Sequence, residues 1–277
     1  MVEKCCRRCE NGNRRNRIMT GKVKVGWLFL LCLALSLSVA AQTAQNCAGL
    51  PDYSKLKSTV ISVVKEGENA NGGLGNQMWA VVVNRDGIVC AVAFSGPDRG
   101  AQWPGSRMIA AEKANTANAL SGPNFALSTA NLYAGSQPGG SLFGLTTSGP
   151  PNPQAAYAGK PEDFGTSNDP LVGKPVGGVI VFAGGLALYD TKGKLLGALG
   201  LSGDTSCTDH IIAWKVRHSI GLDGVPMGVA SDQSDNIIFD IKDGVSASGF
   251  GHPVCQGGRP SDEIARKLPQ SYPLKRK

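Results

Sequence analysis

The segment that decides the fold is Met78-Trp79-Ala80-Val81-Val82-Val83-Asn84-Arg85-Asp86-Gly87-Ile88-Val89-Cys90-Ala91-Val92-Ala93-Phe94. Two apolar runs rich in β-branched residues flank a four-residue reversal that contains Asp-Gly. Branched side chains suit a pleated surface, and a glycine at that place supplies the backbone a tight reversal needs. The segment therefore predicts an antiparallel hairpin.

Upstream, residues 52–66 place Leu56, Val60, Val63 and Val64 at helical spacing, with Asp52 or Ser54 as a cap and Gly67 past the end. Downstream, residues 104–120 form an alanine-rich helix stopped by Gly122-Pro123. Its Ala110, Ala111, Ala114 and Ala117 would let it lie very close to a sheet. A shorter helical turn is expected over 126–133. Residues 135–177, dense in Gly and Pro, predict a long excursion, either ordered or partly mobile. Three further strands are expected at 178–182, 186–189 and 195–201, turning at Gly184-Gly185 and Lys192-Gly193-Lys194. Ser206-Cys207-Thr208-Asp209 matches a capping box, in which Ser and Asp reciprocally satisfy free N–H groups, and opens a helix to about Ile220. Beyond Gly221 the pattern fades, apart from a short strand expected near 237–241. Short turns between neighbouring strands predict an antiparallel five-stranded sheet flanked by segregated helices, an α+β fold with long Gly/Pro-rich loops.

The first 24 residues hold eight Lys or Arg against Glu3 and Glu10, and an uncharged run from Val25 to Ala41 follows. That is the order of a secretory leader, read as residues 1–44, with cleavage after Ala41 or Ala44 and a second start at Met19. The alternative is an uncleaved anchor, although the run is short of the ~20 apolar residues that a spanning helix needs. The expected layout is a leader over 1–44, a domain over 45–222 and a C-terminal extension over 223–277, periplasmic or secreted. The leader carries six of the seven net positive charges, so the remainder is near neutral and offers no nucleic-acid surface.

Cys5, Cys6, Cys9 and Cys32 fall in the leader, which leaves Cys47, Cys90, Cys207 and Cys255. Four cysteines in an oxidising compartment allow two disulfides in three connectivities, with buried free thiols as the alternative. Cys207 with Cys255 is the preferred pair, because it would tie the tail to a helix start; Cys47 with Cys90 is then left over. None has the spacing of a metal knuckle.

The Asp86-Gly87 hairpin, Lys113-Ala114-Asn115-Thr116-Ala117, Pro138-Gly139-Gly140, Gly177-Gly178-Val179, and Leu196-Gly197-Ala198-Leu199-Gly200-Leu201-Ser202-Gly203 ahead of Asp209 together resemble the GlcG/HbpS-like haem-binding family over about residues 52–222. The resemblance implies a profilin-like domain, a homo-oligomer, and binding or slow degradation of haem in some members. It also implies that Lys113 and Thr116 face the ligand region, a plain packing role being the alternative.

Haem iron takes His, Cys, Met or Tyr donors, and its propionates favour Arg or Lys. His210, Trp214 and His218 recur at i+4, so one helix side shows two imidazoles and an indole, with His210 as the candidate iron ligand. The alternative is a half-exposed helix face with a structural His near its cap. His252 is expected in a loop. Arg99, Trp103 and Arg107 sit where the hairpin passes into the alanine-rich helix, as an anion-receiving cluster or a surface ion-pair group. These two groups, with Lys113 and Thr116, are expected to converge on one ligand site, completed where needed by a neighbouring subunit. Nucleophile-elbow, zincin and Walker motifs are all missing, so a binding protein is favoured over an enzyme. An enzyme or accessory subunit for a small oxidised metabolite, and a ligand-free structural oligomer, are the rivals.

Overall fold

The computed structural model describes residues 46–276. The leader expected over 1–44, with its four cysteines, lies outside those residues.

Helix α1 (Tyr53–Val64) is capped by Asp52, whose carboxylate accepts the Lys55 N–H at 2.8 Å. The hairpin follows as β1 (Trp79–Asn84) and β2 (Val89–Phe94), paired from Trp79 opposite Phe94. Asn84 Oδ1 closes its turn by accepting the Asp86 and Ile88 N–H groups at 3.0 and 2.9 Å, and Gly87 takes φ +74° there. Next come α2 (Ser106–Leu120), β3 (Gly185–Tyr189), β4 (Leu195–Ser202) and α3 (Ser206–Ile220).

The sheet is antiparallel with four strands in the order β2-β1-β4-β3, and Ile241–Lys242 pairs with Val245–Ser246 as a separate two-stranded ribbon. The fifth strand expected at 178–182 does not form. Side chains capture its backbone instead: Thr116 Oγ1 accepts the Ile180 N–H at 3.0 Å, Asn115 Nδ2 donates to the Gly178 carbonyl at 2.8 Å, and Ser206 Oγ accepts the Ala183 N–H at 2.7 Å. Gly177, Gly178 and Gly184 have φ of +66°, +79° and +113°, outside the range of an extended strand.

The helices are not segregated to one face. Strand alternation turns Trp79, Val81 and Val83 toward α2, while Ala80 and Val82 point toward Leu56, Val60 and the Ile211, Trp214 and Val216 of α3. The result is three layers, α2 on one face and α1 with α3 on the other. Closeness on the α2 face is extreme: a Cβ at Gly200 would lie 1.9 Å from the Ala110 carbonyl oxygen and one at Gly185 2.4 Å from that of Lys113. Small residues on both partners permit this approach.

The cap of α3 begins one residue earlier than expected. Thr205, not Ser206, accepts the Thr208 N–H, while Asp209 turns back to accept the Asp204 N–H at 2.9 Å. Residues 223–276 share the main core. Asp235 and Arg217, both fully buried, pair through two hydrogen bonds of 2.6 and 2.8 Å. Ile237, Ala265 and Leu268 lie among the residues of α1 and α3, and Trp214 Nε1 donates to the Tyr272 carbonyl at 3.0 Å. Disulfides join Cys47 to Cys90 and Cys207 to Cys255.

Candidate functional site

The excursion after α2 is pinned by one buried ion pair. Arg107, in the first turn of α2, donates from Nε to Asp169 Oδ2 at 2.9 Å, from Nη2 to Asp169 Oδ1, and from Nη1 to the Ala156 carbonyl at 3.3 Å. Asp169 also accepts the Gly165 and Leu171 N–H groups at 2.6 and 2.9 Å. The guanidinium lies 3.9 Å from the centre of the Phe164 ring, a stacked cation.

This clamp leaves a cleft of about 540 Å³ between the start of α2 and the excursion. Trp79, Pro104, Met108 and Phe164 line it, Arg99 contributes a positive charge, and Tyr157 contributes a phenol. Trp79 has an unusual status. Its ring is buried edge-on against Phe94 at 5.3 Å, yet its Nε1 has no hydrogen-bond partner among the described residues. A buried indole N–H without an acceptor costs free energy. Gly165 makes room for this packing, since a Cβ on it would lie 2.3 Å from Phe94 and 2.7 Å from Trp79.

The other sequence candidates distribute as follows. Arg99 and Arg107 both reach the cleft, but Arg107 is committed to Asp169 and is no free anion receptor. Trp103, 52 % exposed, lies just ahead of α2 on the outside. Lys113 and Thr116 are buried about one and a half to two and a half turns further along α2. Lys113 Nζ donates to Asp209 Oδ2 at 2.6 Å and to the Leu201 carbonyl at 3.1 Å, linking α2 to α3 past the sheet end. Burial pushes the Asp209 carboxyl up to about 6 and lowers Lys113, each against the attraction of the other. Thr116 donates to the Glu112 carbonyl and holds Ile180.

The expected convergence of α2 and α3 on one ligand site is not what the layers produce. His210, Trp214 and His218 belong to the opposite face of the sheet. His210 has no exposed surface; its Nε2 faces Asn236 Oδ1 at 3.0 Å, its Nδ1 has no partner among the described residues, and burial pulls it down to about 4. An imidazole enclosed in this way cannot meet a porphyrin without opening the core. Trp214 is buried as well, and His218 closes the end of α3 against Asp223 at 2.7 Å. His252 is buried beside Ser206, its Nε2 2.9 Å from Ser206 Oγ.

Trp79, Met108, Tyr157, Phe164 and Asp169 were not legible as site residues. Trp79 and Met108 read as ordinary strand and helix positions, and the other three lie in an excursion without periodicity. The one available signal was that a buried Arg107 would need a carboxylate.

A family model described as haem-degrading protein HbpS-like matches residues 57–217. No curated protein matches the sequence. Among solved structures, the PduOC:haem complex is 24 % identical with a TM-score of 0.39, over 59 % of this chain and 87 % of that one. Klebsiella pneumoniae protein ORFY is 20 % identical with a TM-score of 0.39, over 60 % and 87 %. HbpS is 15 % identical with a TM-score of 0.37, over 62 % and 90 %. From within α1 to within α3, the chain belongs to the HbpS-like family of haem-degrading proteins.

Proposed function

We propose that this is an exported haem-binding protein whose ligand occupies the cleft beside the start of α2. The observation that carries the reading is the meeting, in one apolar cleft, of Trp79, whose Nε1 has no hydrogen-bond partner among the described residues, with the exposed charge of Arg99. Trp79, Pro104, Met108 and Phe164 offer flat apolar walls for a macrocycle. Arg99 suits a propionate, and Met108 Sδ or the Tyr157 hydroxyl suits the iron. Bound haem would supply a redox-active iron in this cleft. Family membership supports the ligand class, and the matched span includes every one of these residues. Trp103 and Tyr157, 52 % and 85 % exposed near the rim, are suited to a homo-oligomer in which a second copy covers the ligand. Export is supported by the basic and apolar order of the leader and by the two disulfides. No helix among the described residues is long and apolar enough to cross a membrane.

Haemin titration followed at the Soret band tests the reading. Wild type should bind stoichiometrically. Met108→Ala or Tyr157→Phe should displace the Soret maximum, Arg99→Ala should weaken binding by about 1.5–3 kcal/mol, and His210→Ala should leave the spectrum of the folded complex unchanged. No Soret shift with wild type would remove haem binding. Equal titrations and spectra for the three cleft variants would move the site elsewhere.

A further inference from the structure

At the start of α3, three donors of soft-metal type meet. Cys207 Sγ, Cys255 Sγ and a ring nitrogen of His252 all lie within 4.8 Å of one another, the one such group among the described residues. In the oxidised chain the two sulfurs are joined. The surroundings nevertheless have the features of a metal site. His252 Nδ1 lies 2.7 Å from the Pro253 carbonyl, which can only accept, so Nδ1 carries the hydrogen and the lone pair is on Nε2. That is the orienting bond that histidine ligands of metals ordinarily make. Nε2 faces the Ser206 hydroxyl at 2.9 Å, and Ser206 Oγ is itself held by the Ala183 N–H at 2.7 Å. Cys255 Sγ accepts the Cys207 N–H at 3.0 Å in the first turn of α3, where the helix dipole also favours negative sulfur. Cys207 is buried and Cys255 half-buried, so the cluster is enclosed but reachable from one side.

We propose that reduction of the Cys207–Cys255 bridge creates a binding site for one thiophilic divalent ion of the zinc type, held by Cys207 Sγ, Cys255 Sγ and His252 Nε2. The step balances with a dithiol as reductant. The dithiol gives two electrons and two protons to the bridge and closes to its own disulfide; as the ion binds, the two protein thiol protons pass to solvent. Nε2 exchanges its bond to the Ser206 hydroxyl for the ion, and the fourth position falls to water or to Ser206 Oγ. Zinc bonds of ~2.3 Å to sulfur and ~2.0 Å to nitrogen set the donors about 3.5–3.8 Å apart. The sulfurs must therefore part, which rotation about each Cα–Cβ bond supplies. The site goes beyond the haem reading, since it shares no residue with the cleft.

The probe is Co²⁺, added without oxygen to the whole chain after dithiol treatment and removal of the dithiol. Reduced wild type should take up one Co²⁺ with thiolate charge-transfer and intense four-coordinate visible bands, and zinc should displace it. The oxidised chain should show neither. A Cys47→Ser/Cys90→Ser variant, reduced in the same way, should keep the bands, while His252→Ala should weaken zinc at least about tenfold. His252→Gln, which retains a polar group beside Ser206, should behave like His252→Ala. The proposal is overturned by reduced wild type that binds no Co²⁺, by bands that vanish in the Cys47/Cys90 variant, or by unchanged affinity in both His252 variants. A reduced chain that loses its circular dichroism signal and does not regain it with metal overturns it as well.

Discussion

Replacing Arg107 by Met isolates the ion pair that shapes the cleft. The substitution keeps an apolar stem and deletes the guanidinium, leaving the fully buried Asp169 carboxylate with the Gly165 and Leu171 N–H groups at 2.6 and 2.9 Å as its donors. Breaking a buried ion pair from one side costs about 3–5 kcal/mol. Two surviving amide donors place this case near the lower end, about 3 kcal/mol. For a domain of this size that lowers Tm by roughly 6–12 °C. The partly exposed Arg259–Glu68 pair, 3.3 Å apart, gives the comparison: Arg259→Ala should stay within about 0.5 kcal/mol of wild type. Removing both charges, in Arg107→Met/Asp169→Asn, should restore part of the loss, because no buried charge then lacks a partner and the amide oxygen still accepts from a buried N–H. Urea unfolding of the oxidised chains, analysed by linear extrapolation, measures all four. Should Arg107→Met prove as stable as Arg259→Ala, the clamp does not hold the excursion and the cleft loses its wall. The same geometry separates the two arginines functionally: Arg107 affects haem through the fold, whereas Arg99 affects it through charge.

Gly200→Ala should destabilise by about 3 kcal/mol or prevent folding, since the new methyl meets the Ala110 carbonyl at 1.9 Å and α2 would have to lift; thermal unfolding decides it. Opening Cys207–Cys255 alone, with a sequence separation of 48, should cost about 4 kcal/mol by loop entropy, read as a shift of the urea midpoint in Cys207→Ser/Cys255→Ser. His210 gives a pH signature. Its folded value, about 4, lies below the unfolded one, so the unfolded chain takes the proton first as pH falls. Its contribution is complete above about pH 6.5 and is lost toward pH 4, by about 3 kcal/mol. His210→Gln should remove that part of the slope, while the opposing rise from Asp209 stays in both proteins and cancels in the difference; parallel stability curves from pH 7 to 4 would refute it.

What was legible in the sequence was local. The Asp86-Gly87 hairpin, a cap at Asp52 or Ser54, the alanine face of α2 and its close approach to a sheet all follow from the period of side chains and the size of a methyl group. Even the bridge from Cys207 to Cys255 rested on a local reason, a helix start beside a loosely patterned tail. The layer to which each helix belongs was not local. Alternation along β1 makes two apolar faces, Trp79-Val81-Val83 and Ala80-Val82, and both must be covered. One alanine-rich helix covers the first by lying almost on the backbone, and α1 with α3 covers the second. Once α2 and α3 are on opposite faces, the i+4 spacing of His210, Trp214 and His218 becomes core packing and end-capping rather than a ligand face. The strand expected at 178–182, which does not form, has the same origin. Its apolar residues match a strand, but the polar groups of Asn115 and Thr116, read only as part of a family motif, reach its backbone before another strand does. Asp169 depends on a contact 62 residues away in sequence, and no period or spacing encodes that. A buried cation does require a carboxylate, however. Arg107, in the first turn of a helix and next to Ala110 and Ala111, was therefore the position from which the cleft could have been inferred.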